Sequence, residues 1–404
     1  MSHPYKTIPA YQRWSKAVAA PKANEVDPVV AFPYRITPDD RIVTAGSCFA
    51  QHIARYLANS GYGYYVAEQG HPGLHPAIRE KHGYGLFSAR YGNIYTSRQF
   101  RQLFERVLGT FEPEEDVWTN AQGRFVDPFR PTVQPGGFHS VEELRADRAL
   151  HFEALRDRAF PKAEIFVFTL GLTETWVSRR DGAAFPLCPG VEGGEFDPER
   201  HAFVNLTVDE VVADMEAAIG YLRGFNPRAR VILTVSPVPL AATAVDRHVL
   251  VSTTLSKSVL RVAADILSRT IPDVAYFPSY EIITGTYSRG AYFASDLRSV
   301  TDAGVDHVMR LFFEHATVGR AEVPAAAPAA MPAAAMPAAA PSRNHGRAKT
   351  GLIDKARRLF RRAAPATAAP AAAAATTAAA TPPSFVDRME EVTEAICEEA
   401  MLDR

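Results

Sequence analysis

The side chains best suited to nucleophilic chemistry lie in the turn Gly46-Ser47-Cys48, where a strand-like apolar run gives way to helical spacing. A short apolar run that includes Ile42 and Val43 stops at this turn, and apolar residues then recur at helical spacing. A hydroxyl or thiol at a strand-to-helix turn lies at the carboxyl edge of a sheet, where the N–H groups of the new helix stabilise an anion. The same pattern is typical of a serine that caps a helix above a packed cysteine. The turn alone leaves a nucleophilic role and a structural role open.

Further segments, taken in order along the chain, favour the nucleophilic role. Residues 46–50 read GSCFA, and further characteristic segments follow at 91–96, 168–176, 234–238, 255–257 and 296–299. Over about residues 37–315 the chain resembles the GSCFA family, which is itself similar to a branch of the SGNH, or GDSL-like, esterases and acyltransferases. The resemblance implies an α/β fold, a three-layer αβα sandwich with a mainly parallel sheet (SGNH/flavodoxin-like), together with a chemistry class. It implies no substrate.

An SGNH-type site needs a nucleophile after the first strand and donors that hold an oxyanion. Alignment of the turn with the Gly-Asp-Ser of GDSL enzymes places Cys48 at the position of the nucleophile. An alignment shifted by one residue places Ser47 there. We favour Ser47, because Cys48 begins the apolar face of the next helix and buried cysteines are usually packing residues. The resemblance assigns the oxyanion or substrate-binding donors to four positions at two later turns: Gly92, Asn93, Gly171 and Thr173.

The late loop of SGNH enzymes carries an Asp-x-x-His pair that activates the nucleophile. Residues 296–304 follow that pattern, with Asp296 as the residue that would orient the base, but Ser299 occupies the histidine position. A serine does not accept a proton near neutral pH. The resemblance therefore implies either that another residue is the base or that the site has become a binding pocket.

Three other residues are candidates for the missing base. His248, just past the strand predicted at 231–235, lies nearest the expected sheet edge and is our predicted base. His139, in a glycine-rich loop, is the second choice. Lys257 would serve if burial favours its neutral form, although a lysine on a helix is more often exposed. We expect His307 to face solvent, and because no group of histidines has metal-binding spacing we expect no metal and no cofactor.

Alternating strands and helices define the fold class. Continuous apolar runs predict strands that are buried on both faces of a sheet, at 165–169, 231–235 and 274–277. Helical periodicity predicts helices at 97–108, 142–158, 209–222, 249–267 and 301–315. Strand, helix and strand in succession imply parallel crossovers, and hence a doubly wound αβα sandwich.

Composition divides the 404 residues into four parts. Residues 1–36 form a proline-punctuated extension, and residues 37–318 form the GSCFA (SGNH-like) domain. Residues 319–383 are too rich in alanine and proline to bury a core, so we expect a disordered linker that contains a basic helix at about 345–363. Residues 384–404 predict an acidic helix. The basic helix is a candidate for binding a membrane surface or an acidic partner.

Charge and cysteine usage exclude several function classes. The net charge of −1 offers no field for nucleic acid. Three scattered cysteines, Cys48, Cys188 and Cys397, form no disulfide framework and fit a reducing compartment. The chain begins without a signal-peptide pattern and has no apolar run of membrane-spanning length, so we expect a cytoplasmic protein.

Two functions from different classes fit these features. The first is an SGNH-like esterase or acyltransferase that acts on an acylated carbohydrate or small ester through Ser47. The second is a non-catalytic binding or assembly protein that retains the hydrolase fold without the catalytic histidine. The serine at position 299, where the SGNH pattern has a histidine, is the feature that distinguishes the two functions.

Overall fold

The structure, a computed structural model, describes residues 3–318 of the chain. The predicted linker at 319–383, its basic helix and the acidic helix at 384–404 lie outside the described residues. Within residues 3–318, no helix is both long and apolar enough to cross a bilayer.

Four parallel strands form the central sheet, in the spatial order β1-β4-β8-β9. Their bounds are β1 Ile42–Gly46, β4 Ile165–Leu170, β8 Arg230–Val235 and β9 Val274–Tyr276. Every residue of β1 and β4 is buried, as expected for strands that are covered on both faces. The register places Gly46 beside Thr169, so β1 and β4 end together at one edge.

Helices cover both faces of this sheet, which confirms the predicted α/β sandwich. The helices are α1 Trp14–Ala17, α2 Phe49–Ala58, α3 Pro76–Lys81, α4 Ser97–Leu108, α5 Val141–Ala154, α6 Phe160–Lys162, α7 Val208–Phe225, α8 Val249–Thr270, α9 Ser279–Thr284 and α10 Asp302–Ala316, with short 3-10 turns at 4–6, 10–12, 23–25 and 286–288 and a π turn at 155–159. Alternate side chains of β4 point to opposite faces. Phe166 and Phe168 pack in one apolar cluster with α4, α7 and α8. Ile165 and Val167 pack in a second cluster with α2 and α10.

The helix starts follow local capping chemistry. Thr96 and Thr207 each form a reciprocal capping box with the residue three positions later, and α4 ends at Gly109 in the left-handed conformation. The Thr301 hydroxyl accepts the N–H of Gly304 at 3.4 Å, which agrees with the predicted start of the last helix. His307 of that helix is buried, and Tyr292 and the carbonyl of Val26 flank its ring nitrogens. The expectation that His307 faces solvent is therefore wrong, because residues preceding β1 cover this side of α10.

Five short strands lie outside the central sheet and were not predicted. A hairpin pairs β2 Trp118–Thr119 with β3 Phe125–Val126, and β5 Glu174–Ser178 pairs antiparallel with β6 Ala184–Phe185 and β7 His201–Asn205. These strands are too short and too mixed in polarity to give a clear period. They belong to the long connections that surround the carboxyl edge of the sheet.

β1 is an edge strand, and the chain that follows α2 covers its free side. The N–H of Ile42 donates to the carbonyl of Gly63 at 2.9 Å. The Ser88 hydroxyl accepts the N–H of Thr44 at 2.9 Å, and the Tyr91 hydroxyl donates to the carbonyl of Thr44. Loop residues thus supply the partners that a fifth strand would otherwise provide.

Candidate functional site

The turn 46–48, called the elbow below, joins β1 to α2 at the carboxyl edge of the sheet. Gly46 has a φ of 130°, and a Cβ there would collide with the carbonyl of Thr169. Only glycine fits this position. The N–H of Ile94 donates to the carbonyl of Gly46 at 2.9 Å, which brings the loop 92–94 against the elbow.

The two candidate nucleophiles are both held at this edge. Ser47 is 2% exposed, and its N–H donates to the carbonyl of Thr169 at 3.2 Å. Its hydroxyl oxygen is buried and has no hydrogen-bond partner among residues 3–318. Cys48 is 9% exposed and stands at the N-cap of α2. The N–H groups of Ala50 and Gln51 donate to the carbonyls of Ser47 and Cys48, so it is the positive dipole end of α2 that attracts an anion here.

The predicted donors after β4 are engaged in internal hydrogen bonds. The N–H of Gly171 donates to the carbonyl of Tyr95 at 3.2 Å. The N–H of Thr173 donates to the Ser256 hydroxyl at 3.1 Å, and its own hydroxyl donates to Asn205 at 2.7 Å. To hold an oxyanion, either residue would first have to release these bonds. Their assignment as donors stays a prediction.

Gly171 has a clear packing role beside the elbow. A Cβ at this position would lie 2.8 Å from the Cβ of Ser47 and 2.9 Å from the carbonyl oxygen of Tyr95. Contacts this short do not occur between real Cβ atoms and their neighbours, so the end of β4 approaches Ser47 only because residue 171 lacks a side chain.

Gly92 and Asn93, the predicted donors that precede α4, line a cavity. Gly92 has a φ of 67°, and Asn93 is buried, with its Oδ1 accepting the Gln51 amide N–H at 3.2 Å. Gln51 lies on α2 four residues after Ser47, and its Oε1 is buried without a partner among the described residues. The sequence analysis missed Gln51, which lies in the first turn of α2.

The late loop is held around a carboxylate. Asp296 accepts the Ser299 hydroxyl at 2.5 Å and the N–H groups of Arg298 and Ser299 at 2.9 Å each. Partial burial opposes ionisation of Asp296, but these hydrogen bonds outweigh it and lower the pKa of the carboxyl group. Ser299 occupies the position where the family resemblance expects a histidine, and its hydroxyl helps to keep Asp296 ionised.

The late loop and the elbow share one edge of the sheet, because α2 and α10 run side by side in the same direction. Tyr56 of α2 donates to Asp306 of α10. Past the C-terminal ends of both helices, the Tyr62 hydroxyl donates to the carbonyl of Val318 at 2.7 Å. Both helices therefore begin at the carboxyl edge, where the elbow precedes α2 and residues 296–299 precede α10.

Two histidines lie near this edge in different surroundings. His248 is exposed at the N-cap of α8, where its Nδ1 accepts the N–H of Leu250 at 3.2 Å. His52 lies on α2 with its ring 5.8 Å from the ring of Phe49, and burial with the nearby charge of Arg55 lowers the pKa of His52 to about 4. The role of His248 as the base stays a prediction. His139, the second choice, is partnered by Arg124 in the hairpin region.

Lys257 contacts the residue that follows β4. It is 1% exposed on the buried face of α8, and its Nζ donates to the carbonyl of Gly171 at 2.6 Å. The adjacent residue Ser256 receives the N–H of Thr173. The expectation of an exposed lysine does not hold here, because this face of α8 packs under the end of β4.

A cavity of about 1280 Å³ opens beside the elbow. Gln51, Gly92 and Asn93 line the part that lies nearest to Ser47. The remaining walls come from surface connections at 77–87, 119–137 and 190–195. Its lining combines neutral amides and backbone with four charged side chains, Glu80, Lys81, Glu192 and Glu195. Burial raises the pKa of Glu192.

A family model for the GSCFA family matches residues 41–312. This range begins immediately before β1 and ends within α10, so it includes the elbow, the cavity walls, Lys257 and the late loop. The chain belongs to the GSCFA family. No curated protein sequence matches this GSCFA protein.

A buried group of charges supports the cavity walls of this GSCFA protein. Arg90 donates through Nε to the carbonyl of His82 at 2.8 Å and through Nη2 to the carbonyl of Val133 at 3.1 Å, and it pairs with Asp147 at 2.7 Å. One guanidinium therefore ties two of the wall segments to α5. Asp147 also pairs with Arg130, which continues the network behind the wall.

Proposed function

We propose that this GSCFA protein is an SGNH-like esterase or acyltransferase with Ser47 as its nucleophile. The observation that carries the proposal is the buried Ser47 hydroxyl at the junction of β1 and α2, which has no hydrogen-bond partner in the part of the chain that the structure describes. A buried hydroxyl without a hydrogen bond costs about 1 to 3 kcal/mol of stability. Such a cost is typical of a group kept for chemistry, because a structural position would favour alanine or a satisfied partner.

The surroundings of Ser47 supply two further parts of an acyl-transfer site. The N-terminus of α2 presents its positive dipole end to the oxyanion that forms when Ser47 attacks an acyl carbon. Asn93, which lines the adjacent cavity, supplies an amide that can donate to the same oxygen. Asp296 is an ionised carboxylate at the same edge and, in this proposal, orients the groups that move the proton.

The cavity supports an acylated carbohydrate or a small ester as the substrate. Neutral amides of Asn93, Asn120 and Gln134 line it, and amides both donate to and accept from hydroxyl groups. Apolar side chains, including Leu86 and Phe87, provide a surface for an acyl chain or a sugar face. The volume exceeds what a single short ester fills, which favours a larger alcohol or sugar portion.

Fluorophosphonate labelling of the purified protein tests the nucleophile. We expect the wild type to be labelled at Ser47 and to hydrolyse p-nitrophenyl acetate. Ser47→Ala should abolish both signals, whereas the matched variant Cys48→Ala should keep most of each. If Cys48→Ala alone removes activity and iodoacetamide blocks the wild type, the nucleophile is Cys48 and the assignment to Ser47 is wrong.

A second candidate function is ligand binding without catalysis, and the hydrogen bond between Ser299 and Asp296 favours it. In that case the wild type should show no turnover on a broad ester panel while still binding a ligand. Ser299→His separates the two functions. In an enzyme that uses another base the substitution adds little, whereas in a disabled esterase it raises a near-zero rate of ester hydrolysis.

A further inference from the structure

A second cavity, of about 20 Å³, is lined by residues of α4 and α5 and of the loop that precedes α4. A space of this size holds one water molecule or one ion of similar size. Three of the residues that line it carry basic groups, Arg106, Arg130 and His151, and they are only 9%, 3% and 0% exposed. Among the described residues that line this cavity, none is acidic.

Arg106 is a buried cation without a carboxylate partner. Its guanidinium lies 3.8 Å from the ring centroid of Phe129 and 5.2 Å from that of Phe152. Within residues 3–318 its side chain forms no ion pair and no hydrogen bond. Burial lowers the pKa of Arg106 to about 9, so the group is still protonated at neutral pH. A buried charge of this kind is costly unless a ligand of opposite charge pairs with it.

Arg130 presents a second group to the same cavity. Its Nε pairs with Asp127 at 3.0 Å, and its Nη2 pairs with Asp147 at 2.9 Å. Its Nη1 is buried and has no hydrogen-bond partner in the part of the chain that the structure describes. Because the two ion pairs fix the planar guanidinium, Nη1 is the nitrogen that Arg130 can offer to a ligand.

The charges around this cavity do not balance. Ion pairs and close electrostatic contacts connect Arg90, Arg106, Arg130, Arg145 and Arg148 with Glu68, Asp116, Asp127 and Asp147. Five guanidinium groups therefore face four carboxylates within the described part of the chain. One positive charge is in excess, and Arg106 is the member that lacks a carboxylate partner.

His151 is the third basic group at the cavity. Its Nδ1 lies 2.6 Å from Oε2 of Glu68, and its Nε2 is buried without a partner among residues 3–318. Burial lowers the pKa of His151, so the ring is neutral at pH 7 and Nε2 carries a lone pair. A water molecule would bridge this lone pair and Arg130, but it would leave the charge of Arg106 unbalanced. An anion balances that charge, and its field favours protonation of His151, which turns Nε2 into a further donor.

We propose that this cavity, called the anion site below, binds one monovalent anion of the size of chloride between Arg106 and Nη1 of Arg130. The site lies apart from the elbow, and the inference does not depend on the proposed esterase or acyltransferase function. Asn93 lines the anion site as well as the larger cavity beside the elbow. A bound anion therefore supports one wall residue of the larger cavity from behind.

The chloride dependence of thermal unfolding tests the anion site in the full chain. The melting temperature of the wild type should rise by at least about 2 °C between about 1 mM and about 100 mM chloride. Sodium gluconate, whose anion is too large for the cavity, replaces the chloride so that the ionic strength is constant and surface charges are equally screened. Bromide should have an effect of similar size.

A substitution at Arg106 separates the anion site from general salt effects. Arg106→Met removes the unpaired cation and keeps an apolar side chain against Phe129 and Phe152, so the variant should fold and lose the chloride response. Arg156→Met, at an exposed arginine paired with Asp157, is the matched control and should keep the full response. If Arg106→Met responds to chloride as the wild type does, the proposal is overturned.

Crystals of the wild type grown in bromide give a test that needs no variant. Anomalous scattering should place one bromide within hydrogen-bond distance of Arg106 and of Nη1 of Arg130. A water molecule alone at this position, or anomalous peaks only on the protein surface, would overturn the proposal. These results do not depend on labelling at Ser47, so the anion site and the proposed function succeed or fail separately.

Discussion

Two groups of buried polar side chains lie close to the cavity, and their oxygen atoms differ in how completely they are hydrogen-bonded. Behind the cavity wall, all four carboxylate oxygens of Asp127 and Asp147 accept hydrogen bonds, from Arg90, Arg130, Arg148 and the N–H of Phe129. At the elbow, the hydroxyl oxygens of Ser47 and Thr169 are buried and have no partner among residues 3–318.

The difference indicates that the charge network stabilises the fold, whereas the hydroxyl at the elbow is kept for chemistry. The carboxylates of this network have all their oxygens partnered and hold the wall segments in place, although Arg130 Nη1 is buried without a partner among residues 3–318. A buried hydroxyl without a partner makes the folded state less stable. The unpartnered hydroxyl therefore destabilises the fold at the point where the proposed chemistry occurs. The charge network stabilises the neighbouring cavity wall.

Removal of a carboxylate from the charge network should have the largest effect on stability. Burial opposes ionisation of Asp127, but Arg130, Arg148 and Arg106 outweigh it and hold the pKa of the carboxyl group far below its ordinary value. Asp127→Asn removes a buried counter-charge and leaves Arg130 with Asp147 and Arg148 with Asp116 alone, so we expect the free energy of unfolding to fall by about 3 to 5 kcal/mol. Urea denaturation measures this loss. Asp157→Asn, in an exposed pair with Arg156, is the control and should change nothing measurable.

The network also predicts a pH dependence of stability. Burial raises the pKa of Glu68, but the charge and hydrogen bond of His151 outweigh this effect and lower it from 4.5 to about 2. A depressed carboxyl pKa adds stability that is complete above the unfolded value of 4.5 and is lost as the pH falls through about 2. The difference in unfolding free energy between wild type and Glu68→Gln should shrink by about 3 kcal/mol between pH 7 and pH 2. A difference that is constant with pH would contradict the ionised state of Glu68.

At the elbow, added volume should harm activity more than stability. Gly171→Ala places a methyl group 2.8 Å from the Ser47 Cβ and 2.9 Å from the carbonyl oxygen of Tyr95. Overpacking of this kind costs about 1 to 3 kcal/mol. We expect a stable protein whose labelling at Ser47 is at least tenfold slower, because displacement of the reacting atoms is costly in rate. Unchanged labelling would show that the approach of Gly171 to Ser47 does not matter for the chemistry.

Thr169→Val should change the free energy of unfolding least, and it should raise it. Thr169→Val keeps the shape of the side chain and removes a buried hydroxyl that has no partner in the described part of the chain. The free energy of unfolding should rise by up to about 1 kcal/mol. Any marked destabilisation on thermal or urea unfolding would mean that this hydroxyl is satisfied in solution, and the contrast with the charge network would weaken.

The sequence predicted the sandwich because its elements are regular. Continuous apolar runs identified β4, β8 and β9, and the threonine cap of α10 marked where that helix begins. The antiparallel strands β5 to β7 were missed because their residues follow no clear period. The predicted strand-to-helix turn at Gly46-Ser47-Cys48 coincides with the junction of β1 and α2.

The environment of the candidate site was less predictable than its position. An apolar stripe does not reveal polar residues within the buried face of a helix, so the burial of Ser256 and Lys257 on α8 had no signal in the periodicity. The hydrogen bonds of Thr173 depend on residues about 30 and 80 positions away, Asn205 and Ser256. Contacts at such separations arise from tertiary packing and not from local sequence.

The covered side of β1 has a consequence for how this protein misfolds. Because Gly63, Ser88 and Tyr91 occupy the backbone groups of the strand that carries the elbow, that strand offers no template to a strand of another molecule. Proteolytic nicking or shortening of the connection between α2 and α4 would uncover a fully buried and largely apolar strand in a folded sheet. The same event that disrupts the proposed active site would therefore seed edge-to-edge aggregation, so inactivation and loss of solubility would occur together.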